Sequence, residues 1–319
     1  MSVLPDNGKI PLLVLVGPTA VGKSKLALKI SHFLNTDIIS ADSAQVYRRL
    51  DIGTAKPNPE EQLAVKHHLI NIIDPDKFYS AADYQRDADK VIRQIWRQGK
   101  LPFMVGGTGL YIKAVTDRYA FGPKGASREL RSAYEHLART EGLDKLYARL
   151  KAVDPDAAEK IHHNDQKRII RALEVYTLEG KPISTQVSST YPHESPYRTV
   201  IFGLTMERDM LYRRIENRVD KMLEQGFLDE VHSLYKEGYD DDAPGMQVLG
   251  YRQLLAYLKK YMSWEETIIE IKKQTRNLAK RQLTWFRREN IFEWFKITEQ
   301  SLLDNITENI YSKVKDITP

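Results

Sequence analysis

The 319-residue chain contains no cysteine. No disulfide or thiolate–metal site is therefore possible, which suits a reducing, cytoplasmic setting. Long apolar runs are also missing. The first, Pro11 to Val16, stops at Gly17 after six residues, shorter than a signal-peptide core or a membrane span. Metal-ligand spacings of the HExxH kind do not occur. His67 and His68 cannot share one metal, because neighbours on an extended segment point to opposite faces, and His162–His163 is read the same way. No N-K-x-D sequence is present, which disfavours a guanine-nucleotide switch. Neither an internal repeat nor a low-complexity tract is found. The excess of one sign of charge is small: a net +5 permits a polyanionic partner without requiring one. The 42% hydrophobic content can fill one large domain or two ordinary ones.

The most informative stretch lies near the start. Pro11–Val16 reads as a buried strand, and Lys25–Ile30 opens a helix with Leu26, Ala27, Ile30, Phe33 and Leu34 on one face. Between them, Gly17, Pro18, Thr19, Ala20, Val21, Gly22, Lys23 and Ser24 fit G-x-x-x-x-G-K-[ST]. Glycines let the backbone wrap an anion, successive N–H groups form a concave nest, and the helix N-terminus adds partial positive charge. Lys23 can reach phosphate oxygens and the Ser24 hydroxyl can ligate Mg²⁺. A pyrophosphate is held here, as a nucleotide or as another diphosphate.

Further strands are expected at Thr36–Ser40, Leu101–Val105, Thr199–Leu204 and Phe292–Ile297. In an open α/β sheet the loops at the carboxyl ends of strands line the ligand crevice. Asp42, two residues beyond the second strand, should face the phosphate loop, with a catalytic or metal-linked role, a helix N-cap role, or both. The turn Gly106-Gly-Thr-Gly109 after the third strand suggests backbone lying close to another ligand group, although such a turn can be a mere tight connection. Residues 121–197 are charged and helical in pattern. The fold class is therefore α/β, a parallel P-loop NTPase-like sheet flanked by helices over residues 1–120 and 198–319, with a helical insertion over 121–197.

Two basic stripes stand out. Arg214, Arg218 and Lys221 recur at helical spacing after Asp209, read as a helix cap; the interspersed Glu216 and Asp220 favour an ordinary solvated face. Ser263 and Glu266 form a capping box, and at 100° per residue Lys272, Lys273, Arg276, Lys280 and Arg287 share an arc of about 100°. Residues 263–288 hold seven Lys/Arg against three Glu. Lys273, Arg276 and Lys280 are candidate contacts to a nucleic-acid backbone. Trp285 and Phe286 are assigned to the core.

Three functions fit these features: an ATP phosphotransferase, a GTP-dependent switch, and an enzyme that transfers a group from a diphosphate donor to a large anionic acceptor. The basic helix and the helical insertion favour the last. The stretches 17–24, Asp42–Arg48, Asp51–Pro57, His67–Ile70, Gly106–Tyr111, Asn164–Asp165 with Arg168, and Ala279–Trp285 together resemble the bacterial tRNA dimethylallyltransferase (isopentenyltransferase) family. The zinc finger that eukaryotic members add cannot exist in this cysteine-free chain.

The resemblance implies transfer of a dimethylallyl group from dimethylallyl diphosphate to N6 of the adenine just 3′ of the tRNA anticodon. It further implies Asp42 as general base, and Thr19, Lys23, Ser24 with Mg²⁺, and Arg214 around the diphosphate. Asp42, Ser43, Ala44, Gln45, Thr108, Arg131, Asn164, Asp165, Gln166, Lys167, Arg168, Gln247, Val248, Leu249, Gly250, Tyr251 and Arg252 are the implied tRNA contacts. The chain is expected to act as a monomer on the anticodon stem-loop, with no membrane partner.

Overall fold

The computed structural model describes residues 8–117, 119, 121, 127–187, 194–298 and 300–318. These divide into two compact units: the chain up to Thr116 together with the chain from Ser195 onward, and Asp117–Glu194 between them.

The larger unit opens with β1 (Ile10–Val16), α1 (Lys23–Phe33), β2 (Ile38–Ala41), α2 (Pro59–Ala64), β3 (His67–His68), α3 (Ala81–Arg97), β4 (Phe103–Gly106) and α4 (Gly109–Thr116). The smaller unit holds α5 (Arg128–Glu141), α6 (Leu143–Val153), α7 (Pro155–Lys160), α8 (Gln166–Glu179) and α9 (Ile183–Val187). The larger unit resumes with β5 (Tyr197–Met206), α10 (Arg208–Glu224), α11 (Phe227–Lys236), α12 (Tyr251–Leu258), α13 (Trp264–Phe286), β6 (Glu293–Ile297) and α14 (Leu303–Val314). The six strands form one sheet in the order β3-β2-β4-β1-β5-β6, and every pairing is parallel. This is the α/β class read from the sequence.

The continuous apolar run of β1 follows from its central place, since a strand covered on both faces needs no polar alternation. Leu12, Val14 and Val16 point to one core, with Tyr84, Ile92 and Tyr111 of α3 and α4. Leu13 and Leu15 point to the other, with Leu26 and Ile30 of α1 and Ile310 of α14. Helices α10 and α13 contribute to both cores. The smaller unit has its own core, in which Leu146 and Leu150 pack on Ile169 and Leu173. The loop expected over Ser184–Pro196 lies partly outside the described residues.

Several boundaries differ from the sequence reading. β2 and β4 begin two residues later and end one later than their apolar runs suggest, so Ala41 and Gly106 pair at the carboxyl edge. Asp209 does not cap α10; Glu207 holds that position without a side-chain hydrogen bond, because the chain enters the helix almost directly from β5. Asp209 sits in the first turn, where its charge suits the positive end of the helix dipole. Ser263 and Glu266 do form the capping box of α13.

Gly106 is required by the strand pairing, since a Cβ there would overlap the Ala41 carbonyl. Backbone cannot yield as a side chain can. Gly106→Ala is expected to destabilise the larger unit by on the order of 3 kcal/mol, read as a lowered urea midpoint at an unchanged m-value. A midpoint equal to the wild type would show that β2 and β4 separate freely.

Candidate active site

The carboxyl edge of the sheet positions the phosphate loop. Gly17 follows β1 where a Cβ would meet the Leu204 carbonyl of β5, so glycine lets the loop leave the sheet at its crowded centre. Gly22 caps α1 in the left-handed region, at φ 109°, and Ala20 is also left-handed, at φ 64°. A non-glycine residue in that region signals a backbone held by its surroundings. Lys23 Nζ donates to the carbonyls of Gly17 (2.9 Å) and Pro18 (2.8 Å). Burial pushes the Lys23 ammonium down to about 8, against the attraction of Asp42, and nearby Arg218 pushes it the same way.

Asp42 directly follows β2, and no helix begins there. Its Oδ1 accepts the Ala44 N–H at 2.9 Å, an Asx turn rather than the helix cap considered from sequence. Its neighbours are fixed by short-range bonds. Ser43 N–H donates to Thr108 Oγ1 at 3.0 Å. Gln45 accepts from Ser40 Oγ at 3.0 Å and donates weakly to the carbonyls of Thr54 and Ala55.

Helix α10 supplies the cations. Arg214, Arg218 and Lys221 line the same cavity as Lys23, Ser24 and Asp42, which encloses about 980 Å³. Arg214 Nη1 lies 3.9 Å from the place of a Cβ on Gly22, so its guanidinium reaches the phosphate loop. Burial depresses the Arg218 guanidinium, with Asp42 opposing. The solvated face read from sequence is thus overturned. Counted at 100° per residue, Glu216 and Asp220 lie about 100–160° around the helix from the residues of the basic stripe. They turn the other way, onto α13: Asp220 accepts Lys272 at 2.9 Å and Glu216 accepts Arg276 at 2.6 Å. That wheel count, applied to the acids as well as the bases, would have found Arg218 and Lys221 from sequence.

The glycine turn after β4 makes room for α13, while Gly106 and Gly107 also line the cavity. A Cβ on Gly107 would overlap Gln282 Nε2, and one on Gly109 would overlap the Trp285 indole. Gln282 Oε1 accepts the Thr19 N–H at 2.8 Å, and its Nε2 donates to the Gly107 carbonyl at 3.0 Å. Trp285, assigned to the core from sequence, packs on Gly109 and is 36% exposed; Phe286 is buried. Gln282 lies in the Ala279–Trp285 stretch that carries the family resemblance, but its role was missed, because its partners Thr19 and Gly107 are distant in the chain.

The Asp51–Pro57 stretch is clamped from below. Glu230 of α11 accepts the N–H groups of Asp51 (3.1 Å), Ile52 (2.9 Å) and Gly53 (3.4 Å). Lys56, its side chain only 2% exposed, donates to Tyr47 O (2.8 Å), Asp51 Oδ1 (2.5 Å) and Asn71 Oδ1 (2.6 Å). All three ammonium protons have acceptors, which makes a buried cation tolerable.

The remaining sequence candidates are scattered. Of residues 247–252, Gln247 and Arg252 are exposed, Val248 and Leu249 half-buried, and Gly250 and Tyr251 buried. Tyr251 gives its hydroxyl to Glu230, so its side chain is a packing and anchoring group rather than an accessible contact. In the smaller unit, Asn164 and Gln166–Arg168 are exposed around the start of α8, which Asp165 caps. Arg131 makes a bidentate pair with the buried Glu174, at 2.9 and 3.0 Å. On α13, Lys273 and Lys280 are exposed, whereas Arg276 is committed to Glu216.

Among the described residues, no three His, Cys, Asp or Glu side chains cluster in a way that could hold a metal. Magnesium does not need such a cage, since it takes one or two protein ligands beside substrate phosphates and water. Ser24 and Asp42 are among the oxygen-bearing side chains that line the cavity. No helix among the described residues is long and apolar enough to cross a membrane.

The fold and the site define a P-loop α/β protein whose phosphate loop shares a cavity with a carboxylate and a row of arginines. A family model described as IPP transferase matches residues 45–289. The tRNA dimethylallyltransferase of Symbiobacterium thermophilum is 47% identical over 311 residues, covering 98% of this chain and 97% of that protein. The enzyme of the same name from Moorella thermoacetica is 49% identical over 294 residues, covering 91% and 90%. Among solved structures, the full-length tRNA isopentenylpyrophosphate transferase of Bacillus halodurans superposes with a TM-score of 0.71 at 42% identity, covering 97% and 98% of the two chains. A eukaryotic dimethylallyltransferase solved acting on tRNA gives 0.80 at 28% identity, covering 96% and 79%. The chain belongs to the tRNA dimethylallyltransferase (IPP transferase) family, and is a prenyltransferase.

Because Lys23 loses its proton as pH rises through about 8, affinity for inorganic diphosphate is expected to fall across that window, by up to about tenfold per pH unit beyond it. Lys23→Ala binds more weakly but lacks this component. Calorimetry from about pH 6.5 to about 9.5 should give a steeper profile for the wild type than for the variant. Parallel profiles would remove Lys23 from diphosphate binding.

Proposed function

We propose that the chain transfers a dimethylallyl group from dimethylallyl diphosphate to N6 of the adenine just 3′ of the tRNA anticodon, releasing diphosphate. One observation carries this reading: the Asp42 carboxylate lines the same cavity as Lys23, Ser24, Arg214 and Arg218. A leaving group of high negative charge and a nucleophile that must lose a proton need those two kinds of side chain together.

The donor's C–O bond breaks as the C–N bond to N6 forms, and its electron pair passes to the diphosphate. Lys23, Arg214 and the phosphate-loop N–H groups neutralise the charge that develops there, and Thr19 orients the departing oxygen. Mg²⁺, held by Ser24 and the diphosphate itself, would supply further charge neutralisation. The N6 lone pair is delocalised into the adenine ring, so the amine is a poor nucleophile. Asp42 accepts its proton as the bond forms. The Asx turn that Asp42 makes with Ala44 fixes the carboxylate while leaving the second oxygen to act. The adenine must leave its stack to reach a site of this depth. Binding of tRNA falls to Ser43, Gln45 and Thr108 at the crevice, to Gln247 and Arg252, to the exposed start of α8, and to Lys273 and Lys280 on α13. The tRNA-directed names of the relatives support this assignment.

Asp42→Asn keeps the Asx turn and cannot accept a proton. Single-turnover transfer from labelled dimethylallyl diphosphate to unmodified tRNA is expected to slow by roughly two to four orders of magnitude, with tRNA affinity nearly unchanged. A rate close to wild type, or rescue by raised Mg²⁺, would refute the general-base role. An ATP-hydrolysis control run beside it checks the phosphotransferase reading.

Lys273→Glu with Lys280→Glu is expected to weaken tRNA binding and to make the slope of log K against log[salt] shallower by roughly two. Arg276→Gln, by contrast, should act through the loss of its Glu216 pair and lower thermal stability more than it lowers the slope. An unaltered slope in the double variant would mean that α13 presents an ordinary solvated face.

A further inference from the structure

We infer that Gln282 is a positioning residue of the transfer reaction, setting the separation between the diphosphate loop and the segment that carries Asp42. The inference rests on the roles just proposed for that loop and for Asp42.

The Gln282 side chain touches both sides of the crevice at once. Its Oε1 accepts the Thr19 N–H at 2.8 Å, and its Nε2 donates to the Gly107 carbonyl at 3.0 Å. A backbone N–H can only donate and a carbonyl can only accept, so the two partners fix which way round the amide lies. From Gly107 the connection continues through the next residue: Thr108 Oγ1 accepts the Ser43 N–H at 3.0 Å, and Thr108 N–H donates to the Ala41 carbonyl at 3.1 Å. Ala41 and Ser43 flank Asp42. An unbroken run of bonds thus joins the loop that would hold the leaving group to the residue that would take the proton.

The surroundings are shaped to this bridge. A Cβ at Gly107 would overlap Gln282 Nε2, and one at Gly109 would overlap Trp285. Residues 282 and 285 are one helical turn apart. The glycines of the turn therefore let α13 close on it, and the glutamine amide reaches the phosphate loop across that closure. Glutamate could accept from Thr19 but not donate to Gly107. Methionine matches the length and does neither. In a displacement that needs donor carbon and acceptor nitrogen aligned, a shift of about 1 Å is enough to cost on the order of 10²-fold in rate.

The test uses the full chain, unmodified tRNA and labelled dimethylallyl diphosphate. Gln282→Met is expected to lower the single-turnover rate at saturating substrates by roughly 10–100-fold, while the Kd for inorganic diphosphate stays within about twofold of wild type and the Tm changes little. Gly107→Ala, which displaces the amide while leaving Gln282 in place, should show the same split. The double variant should be no slower than the slower single, because both remove one bridge. Gln282→Glu should not restore the rate. A wild-type rate in Gln282→Met, a loss of rate matched by an equal loss of diphosphate affinity, or additive losses in the double variant would each overturn the inference. Diphosphate binding by the wild type that is indifferent to Lys23→Ala would instead overturn the phosphate-loop reading beneath it.

Discussion

The larger unit depends on holding like charges together in a half-buried place. Lys23, Arg214 and Arg218 converge on one cavity, and burial disfavours the charged forms of Lys23 and Arg218. The depressed Lys23 and Arg218 show that pressure directly. Asp42 opposes it for both. A ligand with several negative charges would relieve it far more completely, and this is the physical basis for reading the cavity as an anion site. The same arrangement brings the Asp42 carboxylate beside those cations, so in the proposed reaction one electrostatic requirement would serve binding and chemistry together.

Such a cavity needs rigid walls, and the walls are fixed by side chains borrowed from distant helices. Glu230 of α11 gathers three N–H groups of the Asp51–Gly53 backbone. Lys56 ties the same stretch to Tyr47 and Asn71. Left-handed residues at Arg49, Ala55, Leu69 and Asn71 mark where the chain bends most sharply, and these anchors keep it in conformations it would otherwise leave. Gln282 does for the phosphate loop and the glycine turn what Glu230 does for the Asp51 loop. In each case a half-buried polar side chain meets backbone N–H or C=O groups of a loop.

Helices α10 and α13 each present two faces. On α10, Arg214, Arg218 and Lys221 face the cavity while Glu216 and Asp220 face α13. On α13, Lys272 and Arg276 meet those acids, Gln282 meets the loops, and Lys273 and Lys280 face outward. The charge excess of α13 is therefore smaller in effect than its sequence implies, because about half of the basic arc is neutralised within the fold. The smaller unit follows the same rule: Arg131 and Arg171 both converge on the buried Glu174, so its most conspicuous cation is tied to its own core.

The sequence by itself determined the parallel α/β sheet, the phosphate loop and the position of Asp42. Each of these follows from local rules: an apolar run buried on both faces, glycines at fixed spacing, a polar residue just past a strand. Helix α13 was legible for the same reason, through its capping box and periodicity. The tertiary structure alone decided which charges meet. Whether Arg218 faces a cavity or solvent, whether Arg276 is available or paired, and whether Gly107 meets Gln282 depend on residues tens to hundreds of positions away in the chain. Hydrogen-bond partners at such separations leave no periodicity in the sequence. Local pattern therefore fixes what each element is, while packing at the carboxyl edge of the sheet fixes what each polar side chain does.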